Sequence, residues 1–157
     1  MSSSSSNEEE IGSFVGVDSQ GEWKMLSTDV NECRASSQAP PEATNFKLSK
    51  VPGASNQYHI QSVNPPGKYL YVDDYTKDTV SFVDQIPPSN GRNTGVFEML
   101  EEPDHSYRIK LNHVQDEQFL TLFEEDPSMG SAKVQTQSGG KGKTQKWKFV
   151  KGGSGSN

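Results

Sequence analysis

Short stretches in which apolar and polar residues alternate, or in which β-branched and aromatic residues gather, run the length of the chain. They fall at 13–17, 23–26, 33–37, 45–51, 58–63, 68–73, 79–84, 95–100, 107–112, 118–123, 132–137 and 146–150. Gly, Pro, Asn, Asp and Ser stand between them, most forcefully at Pro65-Pro66-Gly67, Pro87-Pro88, Asn90-Gly91 and Gly139-Gly140. No long window shows apolar residues at the 3.6-residue period, so the pattern predicts strands and no substantial helix. Twelve short strands in 157 residues predict one all-β domain, a sandwich or a barrel.

An internal repeat chooses between them. Thr44, Thr94 and Thr144 are each 50 residues apart (94 − 44, 144 − 94), and each leads into a strand with a large aromatic, Phe46, Phe97 or Trp147. Tyr58-His-Ile60 and Tyr107-Arg-Ile109 open units two and three in the same way. The second strands place Trp23, Tyr69 and Phe119 at one phase. A four-strand unit cannot bury its own apolar face, whereas three units around a pseudo-threefold axis can share a core and close a barrel. The expected architecture is a β-trefoil of twelve strands in three repeats. Its expected core is Trp23, Tyr69, Phe119, Phe46, Phe97 and Trp147, with Ile60, Leu70, Leu120 and Val134.

Composition trims the two ends. Residues 1–10 are a serine run followed by acid, and 152–157 are almost all Gly and Ser, so both read as disordered tails flanking a domain at 11–151. No apolar run approaches a membrane span, and the N-terminus lacks the basic start and apolar middle of a secretory signal. Cys33 is the only cysteine and there is no Asn-x-Ser/Thr sequon, so a cytoplasmic location is expected. A net charge of −6 argues against nucleic acid as a partner. The basic run Lys141, Lys143, Lys146, Lys148 and Lys151 reads as a solvated strand face.

The segment Lys143-Thr-Gln145-Lys-Trp147-Lys-Phe149 resembles the Gln-x-Trp signature that ends each repeat of ricin B-type lectins. Thr44-Asn45-Phe46 and Gly95-Val96-Phe97 stand at the corresponding places in units one and two. Tyr58-His-Ile-Gln-Ser-Val-Asn64, Gly67-Lys-Tyr-Leu and Tyr107-Arg-Ile-Lys also resemble mushroom (fungal) β-trefoil lectins of that superfamily, a group that includes protease inhibitors. The resemblance covers about residues 11–151. It implies a sugar site at the end of a second strand: an Asp accepting two sugar hydroxyls, an aromatic against the ring, and an Asn or His completing the set. The expected ligands are galactose or N-acetylgalactosamine-type glycans or glycoproteins, with defence as the setting.

Met25, Tyr71 and Thr121 occupy the Asp place in this alignment, and none is a carboxylate. The carbohydrate-binding candidates are therefore loop residues: Asp29, Asn31, Ser37 and Asn45 in unit one, and Asp73, Asp74, Tyr75 and Asn90 in unit two. Glu124, Glu125 and Asp126 in unit three read as a solvated acidic turn. In the alternative function, protease inhibition, the proline-stiffened segment 86–92 presents Arg92 to a trypsin-like pocket, because a rigid loop loses little entropy on binding.

The chain carries no Gly-x-Ser-x-Gly elbow, P-loop or dinucleotide fingerprint. His59, His105 and His113 lack metal-ligand spacing. The expectation is a binding protein, not an enzyme, with no cofactor or metal. A homodimer is the simplest way for such a protein to gain avidity, though no self-association strip stands out in the sequence.

Overall fold

A computed structural model describes residues 9–17, 21–29, 32–36, 44–53, 56–63, 66–77, 79–126, 131–137 and 142–151. The strands are β1 (Glu9–Val17), β2 (Trp23–Asp29), β3 (Glu32–Ser36), β4 (Phe46–Lys50), β5 (Gln57–Ser62), β6 (Tyr69–Asp74), β7 (Thr79–Val83), β8 (Phe97–Glu101), β9 (Tyr107–Leu111), β10 (Phe119–Asp126), β11 (Ser131–Gln137) and β12 (Trp147–Lys151). Two short 3-10 turns, Tyr75–Lys77 and Gly142–Gln145, are the only helical pieces described. All twelve predicted strands are present. β1 starts at Glu9, inside the stretch expected as tail, because Glu9–Gly12 find partners on β4.

Six strands close a ring by antiparallel pairing: β1 with β4, β4 with β5, β5 with β8, β8 with β9, β9 with β12, and β12 with β1. The hairpins β2–β3, β6–β7 and β10–β11 cover one end of this barrel, and β3 also pairs with β11 and β7. The chain is a β-trefoil.

The register shows the threefold directly. Phe46 lies opposite Gly12 on β1 and Ser62 on β5. Phe97 lies opposite Tyr58 on β5 and Leu111 on β9, and Trp147 opposite Tyr107 on β9 and Gly16 on β1. Each aromatic joins the first strand of its own unit to the first strand of the next. All three are fully buried, as are Phe14, Ile60 and Ile109, the mates two residues into β1, β5 and β9. Leu26, Leu70 and Leu120 form the matching layer under the cap. Each such side chain contributes about 1.5–3 kcal/mol by burial.

Two glycines on β1 complement the large residues of β12. A Cβ on Gly16 would come within 2.9 Å of the Trp147 ring, and one on Gly12 within 2.7 Å of Phe149 Cζ. Where the partner is the smaller Phe46 or Phe97, the place of Gly16 is taken by Ser62 or Leu111. The Trp147 indole N–H donates to the Leu120 carbonyl (3.2 Å) and is satisfied inside the core.

The structure corrects the phase of unit one. Gln61 pairs with Tyr69, Lys110 with Phe119 and Val15 with Met25. Met25, not Trp23, is thus the mate of Tyr69 and Phe119. The connection between first and second strands differs in length from unit to unit (25 − 15 = 10, 69 − 61 = 8, 119 − 110 = 9). A shift of two keeps every side chain on its face, so alternation alone does not detect it. Trp23 falls at the start of the strand and is 55% exposed, outside the core that was expected to hold it. Tyr69 is only half-buried, and the Val134 side chain lies outside the described residues. The threonine spacing is also off by one in unit one, where Thr44 stands two residues before Phe46 and takes the place of Gly95 and Gln145.

Cys33 is buried, and burial pushes its thiol well above the usual range, so it packs as a small apolar residue. Among the described residues no helix is long and apolar enough to cross a membrane.

Gly16→Ala is expected to destabilise the fold by about 1–3 kcal/mol through overpacking. Adding Trp147→Phe recovers part of that loss, a coupling that urea denaturation of the two single variants and the double variant measures. Asp104 makes a second test. Its carboxylate accepts the hydroxyl (2.5 Å) and backbone N–H (3.0 Å) of Ser106, which lowers its pKa from 3.8 to about 2. The folded state favours the ionised form, so this contribution is present above pH 4 and is lost as pH falls through about 2. Asp104→Asn is expected to flatten the stability–pH curve in that window.

Candidate functional site

Unit two carries an open cleft of about 360 Å³ lined by His59, Tyr69, Asp84, Gln85 and Ile86. It forms where β5, the start of β6 and the segment after β7 meet. Tyr69 opens β6 after a turn at Gly67, whose φ of +85° suits glycine. Its ring meets His59 edge-on, with centroids 5.8 Å apart and planes at 73°. The His59 Nδ1–H donates to the Gly95 carbonyl (3.1 Å). A carbonyl can only accept, so Nδ1 carries a proton, and Nε2 is left as the ring's second polar atom. At the rim the Asp84 carboxylate, 80% exposed, pairs with Lys68 Nζ at 2.9 Å.

Gly95 makes room for Ile86, one wall of this cleft. A Cβ there would come within 2.6 Å of Ile86, which packs directly over it. In unit three the same place holds Gln145, 1% exposed, whose amide donates to Thr121 Oγ1 (3.1 Å). The Gln-x-Trp segment is thus a packing device here, its Gln tied to the second strand and its Trp sunk in the barrel.

The place at which the resemblance puts a sugar-binding Asp is closed in all three units. With the register corrected it holds Ser27, Tyr71 and Thr121, all buried. The Ser27 hydroxyl donates to the Arg34 carbonyl (3.4 Å). The Tyr71 hydroxyl accepts from Asn93 Nδ2 (2.7 Å), and Thr121 donates to the Phe119 carbonyl (3.1 Å). Met25, the residue first aligned there, belongs two positions earlier.

The predicted candidates divide into three groups. Asn31 and Ser37 lie outside the described residues, as does the side chain of Asp29, whose backbone ends β2 opposite Glu32. Asn45 is half-buried beside β1, accepting from Ser13 Oγ (3.5 Å) at its side chain and from the Val63 N–H (3.2 Å) at its carbonyl. Tyr75, Asn90 and Arg92 come together in unit two, where the Tyr75 N–H donates to the Arg92 carbonyl (3.0 Å), and Asp73 and Asp74 precede Tyr75 at the end of β6. Asp73 is exposed in the bulged end of β6. Asp74 Oδ1 accepts the backbone N–H (2.9 Å) and hydroxyl (2.6 Å) of Thr76, as a turn residue does. Tyr75 donates to Asp116 Oδ2 at 3.0 Å, and this bond raises its phenol pKa.

The loop from 86 to 94 that carries Asn90 and Arg92 is held from within by buried Asn93. Its amide N–H groups donate to Tyr71 Oη and to the Pro88 carbonyl (3.1 Å), and its side-chain oxygen accepts the Asn90 N–H (2.7 Å). Asn90 Oδ1 accepts the Arg92 N–H (2.9 Å), and the single Ser89 hydroxyl proton is shared between the Asn93 and His113 carbonyls, which lie 2.8 and 3.0 Å from Oγ. The loop is fixed, and it presents Arg92 to solvent.

His59, Tyr69, Asp84, Gln85 and Ile86 were not among the sequence candidates, and Tyr69 was assigned to the core. One signal did point to them: Gly95, at the place where unit three has Gln145, leaves space beside the second strand for a side chain from elsewhere, which Ile86 fills.

No protein-family model matches the chain, and no curated protein matches it. Solved structures do. A Polyporus squamosus lectin, in complex with the human-type influenza-binding epitope Neu5Acα2-6Galβ1-4GlcNAc, aligns with a TM-score of 0.67 and 15% identity over 91% of this chain, which spans 49% of that one. The Rhizoctonia solani agglutinin aligns at 0.64 with 18% identity, over 90% of this chain and 95% of its own. A mosquitocidal holotoxin aligns at 0.71 with 11% identity, over 92% of this chain and 17% of its own. At these identities the likeness is one of fold, and the fold serves more than one activity.

Gly95→Ala is expected to displace Ile86 and loosen His59, at a cost of about 1–3 kcal/mol in denaturant unfolding. The variant also shifts the His59 ring resonances in NMR, whereas a substitution at Gly53, which has open space but a φ of +82° and so costs only local backbone strain, leaves them in place.

Proposed function

We propose that this protein binds carbohydrate, and that the unit-two cleft takes a terminal galactose or N-acetylgalactosamine-type sugar of a glycan or glycoprotein. The observation that carries this reading is the convergence of an aromatic ring, a carboxylate and an amide on one open cleft, Tyr69 with Asp84 and Gln85. A pyranose of the galactose type has an apolar patch of C–H groups on one face and vicinal hydroxyls on its edge. Tyr69 offers a partially exposed ring to the first, and Asp84 offers two acceptor oxygens to the second. Gln85 and His59 Nε2 add polar groups that orient the sugar, and Ile86 adds apolar contact. The lectins of similar fold support the reading at the level of architecture.

The same cleft favours binding over catalysis. Glycoside hydrolysis ordinarily needs two carboxyl groups flanking the bond, and among the described residues Asp84 is the only one lining the cleft. The acidic net charge agrees with glycan over nucleic acid as the partner.

A glycan array probed with the purified protein is expected to show signal on galactose-terminated structures. Tyr69→Ala should lose at least about tenfold in affinity while remaining folded, in line with the weight of an aromatic anchor. Silence across the whole array at high protein concentration would reject the reading.

The Asn93-braced loop supports a second reading, protease inhibition through Arg92. A braced loop enters a protease cleft at small entropic cost. A molar excess of the protein is expected to slow trypsin, and Arg92→Ala to abolish the effect. Unimpaired trypsin, together with unimpaired cysteine proteases, would eliminate this alternative.

A further inference from the structure

The pseudo-threefold axis repeats the unit-two cleft in principle, and the residues at its mates show what became of each copy. Pairing of Gln61 with Tyr69, Lys110 with Phe119 and Val15 with Met25 makes Tyr69, Phe119 and Met25 equivalent. Two residues earlier on the first strands stand His59, Arg108 and Ser13, on the same face by the strand period of two. The three units therefore present His59 with Tyr69, Arg108 with Phe119, and Ser13 with Met25.

In unit two the imidazole meets the tyrosine by its edge, and Tyr69 remains half-exposed. In unit three the Arg108 guanidinium lies over the Phe119 ring, with Cζ 4.9 Å from the centroid. Phe119 is 2% exposed as a result of this cover and its own packing. Glu102 Oε2 accepts from Arg108 Nε at 3.0 Å and holds the cover in place. The Glu102 backbone N–H is itself fixed by the Ser106 carbonyl at 2.7 Å. A stacked cation occupies the ring face that a sugar would need. Gln145 closes the space beneath, where unit two has Gly95. In unit one Met25 stands in the ring's place, with exposed Trp23 two residues before it at the start of β2, and Ser13 is 9% exposed with its hydroxyl directed to Asn45.

We infer that, among the described residues, unit two alone keeps this cleft open to a sugar, and that Arg108 is the plug that covers its counterpart ring in unit three. This rests on the glycan reading of the unit-two cleft. With one such cleft a single chain binds one sugar there, and cross-linking of glycoproteins through it requires self-association of the protein.

Isothermal titration of the full chain with lactose, with amide NMR shifts recorded along the same titration, tests the inference. One equivalent of lactose is expected, with shifts centred on Tyr69, His59 and Gln85. Tyr69→Ala is expected to remove the heat, and Arg108→Ala joined to Gln145→Gly to add a second equivalent with shifts around Phe119. Two or three equivalents in the wild type, or lactose retained by Tyr69→Ala and mapped to Phe119 or Met25, overturns the single site while the glycan reading stands. A folded Arg108→Ala, Gln145→Gly double variant that still takes one equivalent overturns the role of Arg108. A wild-type protein that takes no lactose ends the galactose-type reading, and this inference with it.

Discussion

Phe46, Phe97 and Trp147 fill one barrel from three directions, and no unit could bury its own ring without the other two. Each is pinned between the first strand of its unit and the first strand of the next, so the ring of strands closes only when all three are in register. The barrel is not strictly symmetric. Unit three brings larger side chains, Trp147 and Phe149, and β1 gives way with Gly16 and Gly12, neither of which has room for a Cβ. First and last strands of the chain are thereby fitted to each other, size against absence. That joint closes the barrel, and everything at the surface depends on it.

The surface is where the units were free to diverge. A place that holds buried Gln145 in unit three holds Gly95 in unit two, and the missing side chain leaves Ile86 and His59 to shape a cleft. Opposite it, the first strand supplies His59 in unit two, Arg108 in unit three and Ser13 in unit one. The same backbone yields an open aromatic site, a ring under a guanidinium, and a site with Met25 in the ring's place. Function on this fold follows from which side chain is left out as much as from which is put in.

Strand alternation and turn residues made all twelve strands legible, and the recurrence of Phe46, Phe97 and Trp147 made the threefold legible, because burial on a shared axis forces the same residue type at the same phase. Trp23 misled for a reason that alternation cannot reveal. The connection after β1 is two positions longer than the one after β5, and a two-residue slip leaves the inward and outward faces unchanged. The site was harder to read than the fold. Asp74 and Asn90 looked like ligand groups but satisfy their own turns, whereas Tyr69 looked like core but borders a cleft. Side chains such as Asp84 and His59 carry no local signature, since residues distant in sequence meet only once β5, β6 and the loop after β7 are assembled.

A crystal structure of the protein soaked in lactose tests the central claim most directly, because it reports position as well as occupancy. The account predicts the galactose ring against Tyr69, with its vicinal hydroxyls on Asp84 and no sugar beside Phe119 or Met25. A galactose seated at any other place on the trefoil, with the His59–Tyr69–Asp84 cleft empty beside it, would contradict the account.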